Sequence, residues 1–456
     1  MEIIRLIISF LFAIMAGWNI LFWFIRRDLS FSLFEKAALS YIIGLGVITL
    51  QMFFYSLFNI RFSLYPLLLP HILIFLVNGF VFANTLPVGN KPAKTKSGTF
   101  DILLLAGIVF QVFYAFFKAL IKPEDSFDSV GNFAFKAKMF FIKGYIPYEL
   151  FADKSIDIAH PDYPLFLPLS QTWVYMFLGR WNDLLVKALF PMFFISFLVI
   201  FYFALKRLLG RQLALVCSFF LTTVPHFLNY ATIGYADFAL AMFYSLSFLY
   251  IFLWISYKRE NAYICLAALL SFFAIWTKNE GSLLTLVNIL VLFLFVLLSR
   301  KEIKKNEIRT LFILLLAIVV PASAWFAALH SMNLSNEFVN KDTFRISIAL
   351  KNLDRLLLVL YDCQKHIFGP KKWNISLLVF STGLVLYFKK ALTGDFKYIT
   401  LSILLAFFGY AAFYLITPLE IRYHLQTAGS RLLLHFLPLV VFWIGYLAKT
   451  CDKDCT

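Results

Sequence analysis

Charge is what this chain has least of. Asp, Glu, Lys and Arg make up 14% of its 456 residues, where a soluble globular domain carries about 25%. That shortage excludes an ordinary solvated surface over most of the molecule. Cysteine is also scarce. Of Cys217, Cys265, Cys363, Cys451 and Cys455, only the last two stand close in sequence. This spacing argues against a disulfide framework and against a metal-binding cysteine cluster. The chain has no internal repeat and no low-complexity segment.

What is present instead is apolar sequence, 61% of the residues, with 56 phenylalanines. It falls in runs of roughly 17–22 residues, long enough at about 1.5 Å per residue to cross a hydrocarbon core. Most runs lack the polar stripe of a soluble core helix. The expected fold is therefore all-α, a polytopic transmembrane helical bundle of about thirteen spans. They run over 4–24, 37–58, 64–84, 100–120, 183–205, 213–230, 237–256, 262–277, 281–298, 310–330, 374–388, 398–416 and 432–448. The first run has no small-residue cleavage site after it and is followed by Arg26-Arg27, so it reads as a retained helix rather than a signal peptide.

Alternating sides along those spans gathers the basic loops on one side. They hold Arg26-Arg27, Lys91/Lys94/Lys96, Lys206-Arg207/Arg211, Lys258-Arg259, Arg300-Lys301/Lys304-Lys305/Arg309, Lys389-Lys390 and the tail with Lys449 and Lys453. Short loops rich in Lys and Arg are cytoplasmic. This accounts for the net charge of +16 without a nucleic-acid partner. The N-terminus and the long loops 121–182 and 331–373 are then external, and the C-terminus is cytoplasmic, as for a multi-pass protein of a cell (inner) membrane. The apolar run Pro164–Leu178 is too short to span, and counting it would invert every later loop. It reads as an interfacial or re-entrant helix. Phe133–Lys143, with Lys136, Lys138 and Lys143 among phenylalanines, reads as a helix at headgroup level.

Polar residues of unusual type then share the external face. They are Glu124-Asp125-Ser126-Phe127-Asp128, His160-Pro161-Asp162-Tyr163-Pro164, Gly234-Tyr235-Ala236-Asp237, Lys278-Asn279-Glu280-Gly281, and Arg422, His424 and Arg431. Ionisable groups near a bilayer are costly, so their convergence points to a site. Each has a structural reading as well. The carboxylates suit a solvated helix end, Asp237 suits an N-cap, and Lys278 and Arg431 suit snorkelling helix-end cations. His160 and His424 suit hydrogen-bonded loop histidines.

The stretch Asp128-Ser-Val-Gly-Asn-Phe-Ala-Phe-Lys136-Ala-Lys138, then Gly144, then His160-Pro-Asp-Tyr-Pro164 resembles the first external loop of GT-C type membrane glycosyltransferases. It is similar to bacterial relatives of the polyprenyl-phosphate-mannose protein mannosyltransferases and the aminoarabinose transferases. Tyr235-Ala-Asp237, Lys278-Asn-Glu280-Gly281 and Arg431 followed by leucines and His435-Phe-Leu-Pro438 also resemble links of that branch. The likeness covers about residues 100–440. It divides the chain into an N-terminal three-helix segment 1–90, which departs from the family's usual start, a catalytic domain 91–450 and a cytoplasmic tail 451–456.

The resemblance implies transfer of a sugar, with inversion, from a polyprenyl-phosphate donor to an acceptor hydroxyl or amine of a glycan, lipid or protein. Asp128 is the implied base, because its spacing of eight residues to Lys136 matches the loop pattern, and Asp125 is second. Arg422, Arg431 and Lys278 are candidates for the phosphate. Glu124, Lys136, Tyr163, Asp237, Glu280 and His424 complete the substrate-binding set. His160 and Asp162 either orient substrate or bind a divalent cation, for which paired carboxylates suit Mg or Mn. Two readings compete with this one. The first is a transporter or flippase of a lipid-linked or anionic substrate, against which the spans carry few central charges. The second is an O-antigen ligase or polymerase, which lacks the Asp-then-Pro-rich loop. A scaffolding membrane protein is the plainest alternative.

Overall fold

A computed structural model describes residues 1–26, 28–82, 98–153, 155, 158–299, 305–334 and 345–452. Arg27, Lys91, Lys94, Lys96, Arg300, Lys301, Lys304, Lys453 and Cys455 lie outside the described residues, as do the boundary near residue 90 and most of the tail. Among the described residues the protein is helical throughout, with no strand. The described cysteines are all free.

Nine helices of the described residues are long and apolar enough to cross a membrane, as expected of a multi-pass helical membrane protein. Four shorter apolar helices, Leu64–Phe80, Arg211–Thr222, Asn261–Thr277 and Ser376–Leu386, fall at the positions of the other four expected spans.

The chain divides into two compact units. The first comprises Met1–Ala159, Pro164–Phe203 and Ala231–Ala236. It contains α1 (Glu2–Ile25), α2 (Leu33–Leu57), α3 (Leu64–Phe82), α4 (Thr99–Leu120) and a π-helical segment Ser129–Ala134 that runs into α5 (Phe135–Lys143). α6 (Tyr148–Ala152), α7 (Phe166–Leu178), a 3-10 turn Leu185–Ala188 and most of α8 (Leu189–Leu209) complete it. The three helices before residue 90 thus belong to the same unit as the helices that follow them.

α1 and α2 cross at backbone contact through two small-xxx-small pairs, Ala13/Gly17 and Ser40/Gly44. A Cβ on Gly17 would stand 1.8 Å from Ser40 O, and one on Gly44 1.7 Å from Ala13 O. Such spacing lets helices approach closely where no hydrophobic force drives them together. Gly44→Leu is expected to force α1 and α2 apart, because backbone cannot rotate away as a side chain can. Overpacking of this kind costs about 1–3 kcal/mol or more. The check is the thermal unfolding midpoint in detergent, with Gly79→Leu as control, since a Cβ on Gly79 meets nothing within 4 Å. Equal midpoints for the two variants would contradict the crossing.

α7 is the short helix expected after Pro164. All its residues except the half-buried Met176 are buried, and it packs against α1, α2 and α5. The Arg5 guanidinium donates to Leu178 O at 3.0 Å, satisfying a carbonyl of its last turn, and Trp173 Nε1–H donates to Ser9 O at 3.2 Å. α5 turns Lys136, Ala137 and Phe140 inward, so Lys136 is buried. Its Nζ stands 5.8 Å from the centre of the Phe151 ring.

The second unit comprises His160–Tyr163, Ala204–Tyr230 and Asp237–Thr456. Its helices are α9 (Arg211–Thr222), α10 (Pro225–Tyr230), α11 (Ala236–Ser256, from Asp237 on), α12 (Asn261–Thr277), α13 (Glu280–Leu298) and α14 (Lys305–Ser331). There follow α15 (Ile346–Lys351), α16 (Arg355–Ile367), α17 (Pro370–Trp373), α18 (Ser376–Leu386), α19 (Phe388–Ala391) and α20 (Phe396–Ile416). α21 (Ile421–His424), a second π-helical segment Leu425–Gly429 and α22 (Ser430–Asp452) end the chain.

Small hydroxyl side chains join its helices internally. Ser247 and Ser271 meet at 2.6 Å, Tyr244 and Ser402 at 2.9 Å, and Trp443 Nε1–H donates to Thr400 Oγ1 at 2.9 Å. The segment 345–373 is seated on α20. Arg355 donates to Tyr414 O and Thr417 O at 3.3 and 2.9 Å, and Asn352 donates to Leu415 O at 2.8 Å, capping the carbonyl end of α20.

Candidate functional site

In the second unit, charged side chains from three separate stretches meet inside the protein. Asp237 is the second residue of α11, not its N-cap, and is 1% exposed. Its Oδ1 accepts from Lys278 Nζ at 3.0 Å and from His435 Nε2 at 3.1 Å. Lys278, on extended backbone where α12 ends, also pairs with Glu280 Oε1 at 2.8 Å, and its side chain is 4% exposed. His435 Nδ1 meets the Tyr410 hydroxyl at 2.7 Å. The carboxylate can only accept, so His435 donates to it from Nε2. The result is one connected array, Tyr410–His435–Asp237–Lys278–Glu280.

Burial alone would depress the Lys278 pKa, but the carboxylates of Asp237 and Glu280 raise it above the ordinary value. The group is therefore a fixed ammonium. Arg431, in the first turn of α22, adds a second positive charge that acts on Lys278 and Asp237.

The segment His160–Tyr163 is tied to the same array. Asn279 Nδ2 donates to Asp162 Oδ2 at 2.7 Å. The Tyr163 ring stacks on His160 at 4.5 Å, and Tyr163 N–H closes a turn on His160 O at 3.1 Å. His160 adopts a left-handed φ of 48°, a conformation uncommon outside glycine and concentrated in turns and sites.

Glu124, Asp125 and Asp128 belong to the first unit, and they differ sharply from one another. Asp125 pairs with Lys122 at 2.5 Å with both side chains open to solvent, 51% and 60% exposed. The hydrogen bond from Lys122 holds its carboxyl below the usual range, and an exposed pair of this kind contributes little. Asp128 is half-buried at the start of the π-helical segment, and its backbone N–H donates to the Tyr235 hydroxyl at 3.3 Å. Glu124 is buried, with Oε1 accepting from Gly234 N–H at 3.4 Å. A Cβ on Gly234 would stand 2.0 Å from Ser129 Oγ and 2.6 Å from Glu124 Oε2, so only glycine fits this contact. Nearby, the amides of Asn132 and of Gln171 in α7 are buried, with no hydrogen bond to either among the described residues. Buried polar groups left this way are rare and call for a reason.

Burial raises the Glu124 pKa above its ordinary 4.5, with the Lys187 charge and the Ser129 and Gly234 hydrogen bonds opposing it. A folded-state pKa above the unfolded one means that the folded state holds the proton more tightly. Stability from this group is thus greatest below the unfolded value and falls as pH rises through the folded one. Glu124→Gln cannot ionise. Unfolding midpoints for both proteins from about pH 4 to about pH 8 should show the wild-type declining relative to the variant above about pH 4.5. Parallel curves would contradict the assignment.

The structure brings Asp162, Asp237, Lys278 and Glu280 together, with Arg431 beside them. It does not add Arg422, which is exposed on α21, where Glu420 caps the backbone N–H groups of Arg422 and Tyr423 at 3.0 and 2.7 Å. His424 is buried within reach of the Arg431 and Glu280 charges, its Nδ1 2.9 Å from Thr417 Oγ1 and its ring edge-on to Tyr414. His435 and Tyr410 are absent from the set expected on sequence. Their signal was an ionisable or hydroxyl-bearing residue inside an apolar span. As for Mg or Mn, no group of three or more His, Cys, Asp and Glu among the described residues could hold a metal ion. Compared with protein-family models, with curated proteins and with solved structures, the chain matches none.

Proposed function

We propose that this protein is a membrane glycosyltransferase of GT-C type. It moves a sugar, with inversion, from a polyprenyl-phosphate donor to an acceptor hydroxyl or amine at the external face of a cell membrane. The reading includes thirteen crossings, made by the nine long helices and the four shorter apolar ones, with the N-terminus outside and the C-terminus inside. The observation that carries it is the buried array Tyr410–His435–Asp237–Lys278–Glu280. Asp237, Lys278 and Glu280 come from helix ends that alternate along the chain, so they share one face if each helix spans. Transport sites instead gather near the midplane, on broken helices.

The chemistry follows from the charges. The acceptor oxygen attacks the anomeric carbon as the bond from that carbon to the phosphate oxygen breaks, and the phosphate leaves with the electron pair. A carboxylate takes the acceptor proton, and Asp128 has that role. Fixed cations stabilise the leaving phosphate. Lys278 and Arg431, the two cations of the cluster, are the candidates for that role. Asp162 and Tyr163 orient the sugar through the Asn279 tether.

The test uses the purified full-length chain and polyprenyl phosphates carrying labelled sugars, with extracted membrane lipids, glycans and peptides as acceptors. Labelled product from at least one donor is expected. If no donor yields product while the same protein moves intact labelled donor across proteoliposome membranes, the flippase reading replaces this one.

A further inference from the structure

The second unit holds a small cavity between α16, α20 and the start of α22, of about 20 Å³, room for about one water. Asp362, Tyr410, Tyr414 and Gly429 line it, and most of the remaining wall is apolar, including Val359, Leu432 and Phe436. Three polar atoms from outside the catalytic scheme converge on Gly429. A Cβ there would stand 2.8 Å from Asp362 Oδ2, 3.8 Å from His366 Nε2 and 3.8 Å from the Tyr414 hydroxyl. Gly429 ends the second π-helical segment, an irregularity that is frequent at functional sites.

The hydrogen-bond inventory of this pocket is incomplete in a specific way. Trp373 Nε1–H, which can only donate, gives its proton to His366 Nδ1 at 3.0 Å. The His366 proton is then on Nε2, 3.3 Å from Asp362 Oδ2. His366 thus stands against that carboxyl. Tyr414 is 3% exposed, and its hydroxyl has no hydrogen-bond partner among the described residues. A buried hydroxyl without a partner costs about 1–3 kcal/mol, so the pocket is built for something that supplies one.

We infer that the Gly429 pocket is a subsite for the free hydroxyl of a lipid-class alcohol. Asp362 offers an acceptor and Tyr414 has a proton to give. A ligand hydroxyl answers both, donating to Asp362 and accepting from Tyr414. An ammonium has no lone pair for the Tyr414 proton, and a phosphate diester has no proton for Asp362. A free sugar carries many hydroxyls and would find three polar atoms in an otherwise apolar wall. A lipid alcohol carries one hydroxyl on an apolar body. Tyr410 lines this pocket and also bonds His435, so the subsite adjoins the buried array. That this lipid serves as the sugar acceptor rests on the glycosyltransferase reading; the binding itself does not.

The experiment measures binding of 1,2-dioctanoylglycerol to the full-length protein in phosphatidylcholine nanodiscs by native mass spectrometry. The comparison probe is the same lipid with its free hydroxyl acetylated. Saturable binding is expected for the alcohol and binding at least about tenfold weaker for the acetate, the loss of a hydrogen bond to a charged group. Tyr414→Phe and Asp362→Asn should each weaken the alcohol about tenfold, and Gly429→Ala should abolish its binding. Tyr414→Phe removes a hydroxyl that bonds nothing among the described residues, so its unfolding midpoint should stay level or rise, which separates a binding effect from misfolding. Equal binding of both lipids, no binding of either, or indifference to Tyr414→Phe overturns the subsite. Sugar transfer to a water-soluble acceptor together with no lipid binding sinks this inference alone. Lipid binding without any transfer sinks the enzyme reading alone.

Discussion

Lys278→Met is expected to destabilise the protein by about 3–5 kcal/mol, the cost of breaking a buried ion pair by removing one partner. Methionine matches the length of the lysine stem, so packing changes little and the electrostatic loss dominates. The loss is one-sided. Asp237, 1% exposed, keeps its charge but loses the ammonium 3.0 Å away, and retains the His435 N–H and the Arg431 charge. Glu280 loses its partner as well, but its side chain is 24% exposed and water replaces part of the loss. The order of effects is therefore fixed in advance: Lys278→Met worst, Asp237→Asn next, Glu280→Gln mildest. Adding Asp237→Asn to Lys278→Met should recover part of the deficit, since the uncompensated charge is then removed. Thermal unfolding in detergent, with the fraction of monodisperse protein after purification, measures all four. If Lys278→Met unfolds with the wild-type midpoint, or if the double variant is worse by the sum of the singles, the array is not an electrostatic unit.

The same residues show what the amino-acid sequence can and cannot convey. Apolar runs report span positions directly, because length and composition alone decide whether a helix can cross. Nine of the thirteen expected runs form long helices and the rest form shorter ones in the expected places. Asp237, Lys278 and Glu280 stood out as charges at the ends of such runs. Their pairing did not, since Lys278 reaches back 41 residues to Asp237 and His435 reaches back 198. Nothing local encodes those distances. His435 and Tyr410 were hidden for the opposite reason, lying inside apolar runs where a single polar residue does not disturb the pattern.

α7 marks a second boundary of legibility. Its composition is apolar, which suits lipid, a headgroup boundary and a protein core alike, and only packing against α1, α2 and α5 selects the core. Asp362 and His366 illustrate a third. They sit four apart on α16, an i,i+4 spacing that places them on one helix face. The carboxyl gains its meaning only from Gly429 and Tyr414, which arrive from other helices.

Asp128→Asn is expected to lower the rate of sugar transfer by about 10²–10⁴-fold, the range over which a positioned general base acts, while leaving expression and membrane insertion intact. Three carboxyls compete for the role, and the geometry ranks what each substitution should do. Asp125 is exposed and paired with Lys122, so its proton affinity is reduced and water reaches it freely. Asp125→Asn should retain near-wild-type turnover. Glu124 is buried with a raised pKa and accepts from Gly234 N–H. Glu124→Gln therefore removes a carboxyl that is partly protonated at mildly acidic pH. It should act through the position of Ser129 and Gly234, altering KM more than kcat. Asp128 is half-buried at the start of a π-helical segment, held by its backbone N–H on the Tyr235 hydroxyl. Tyr235→Phe loosens that contact without removing the carboxyl and should lower turnover modestly, by about tenfold or less, as expected for loss of one neutral hydrogen bond. The measurement is initial rate against donor concentration for the four variants, with equal membrane insertion confirmed first. A fall in kcat for Asp125→Asn alone reassigns the base to Asp125. A fall for Glu124→Gln alone, with a pH profile displaced toward alkaline values in the wild-type, reassigns it to Glu124. If Asp125→Asn and Asp128→Asn both stay active, this loop does not carry the chemistry.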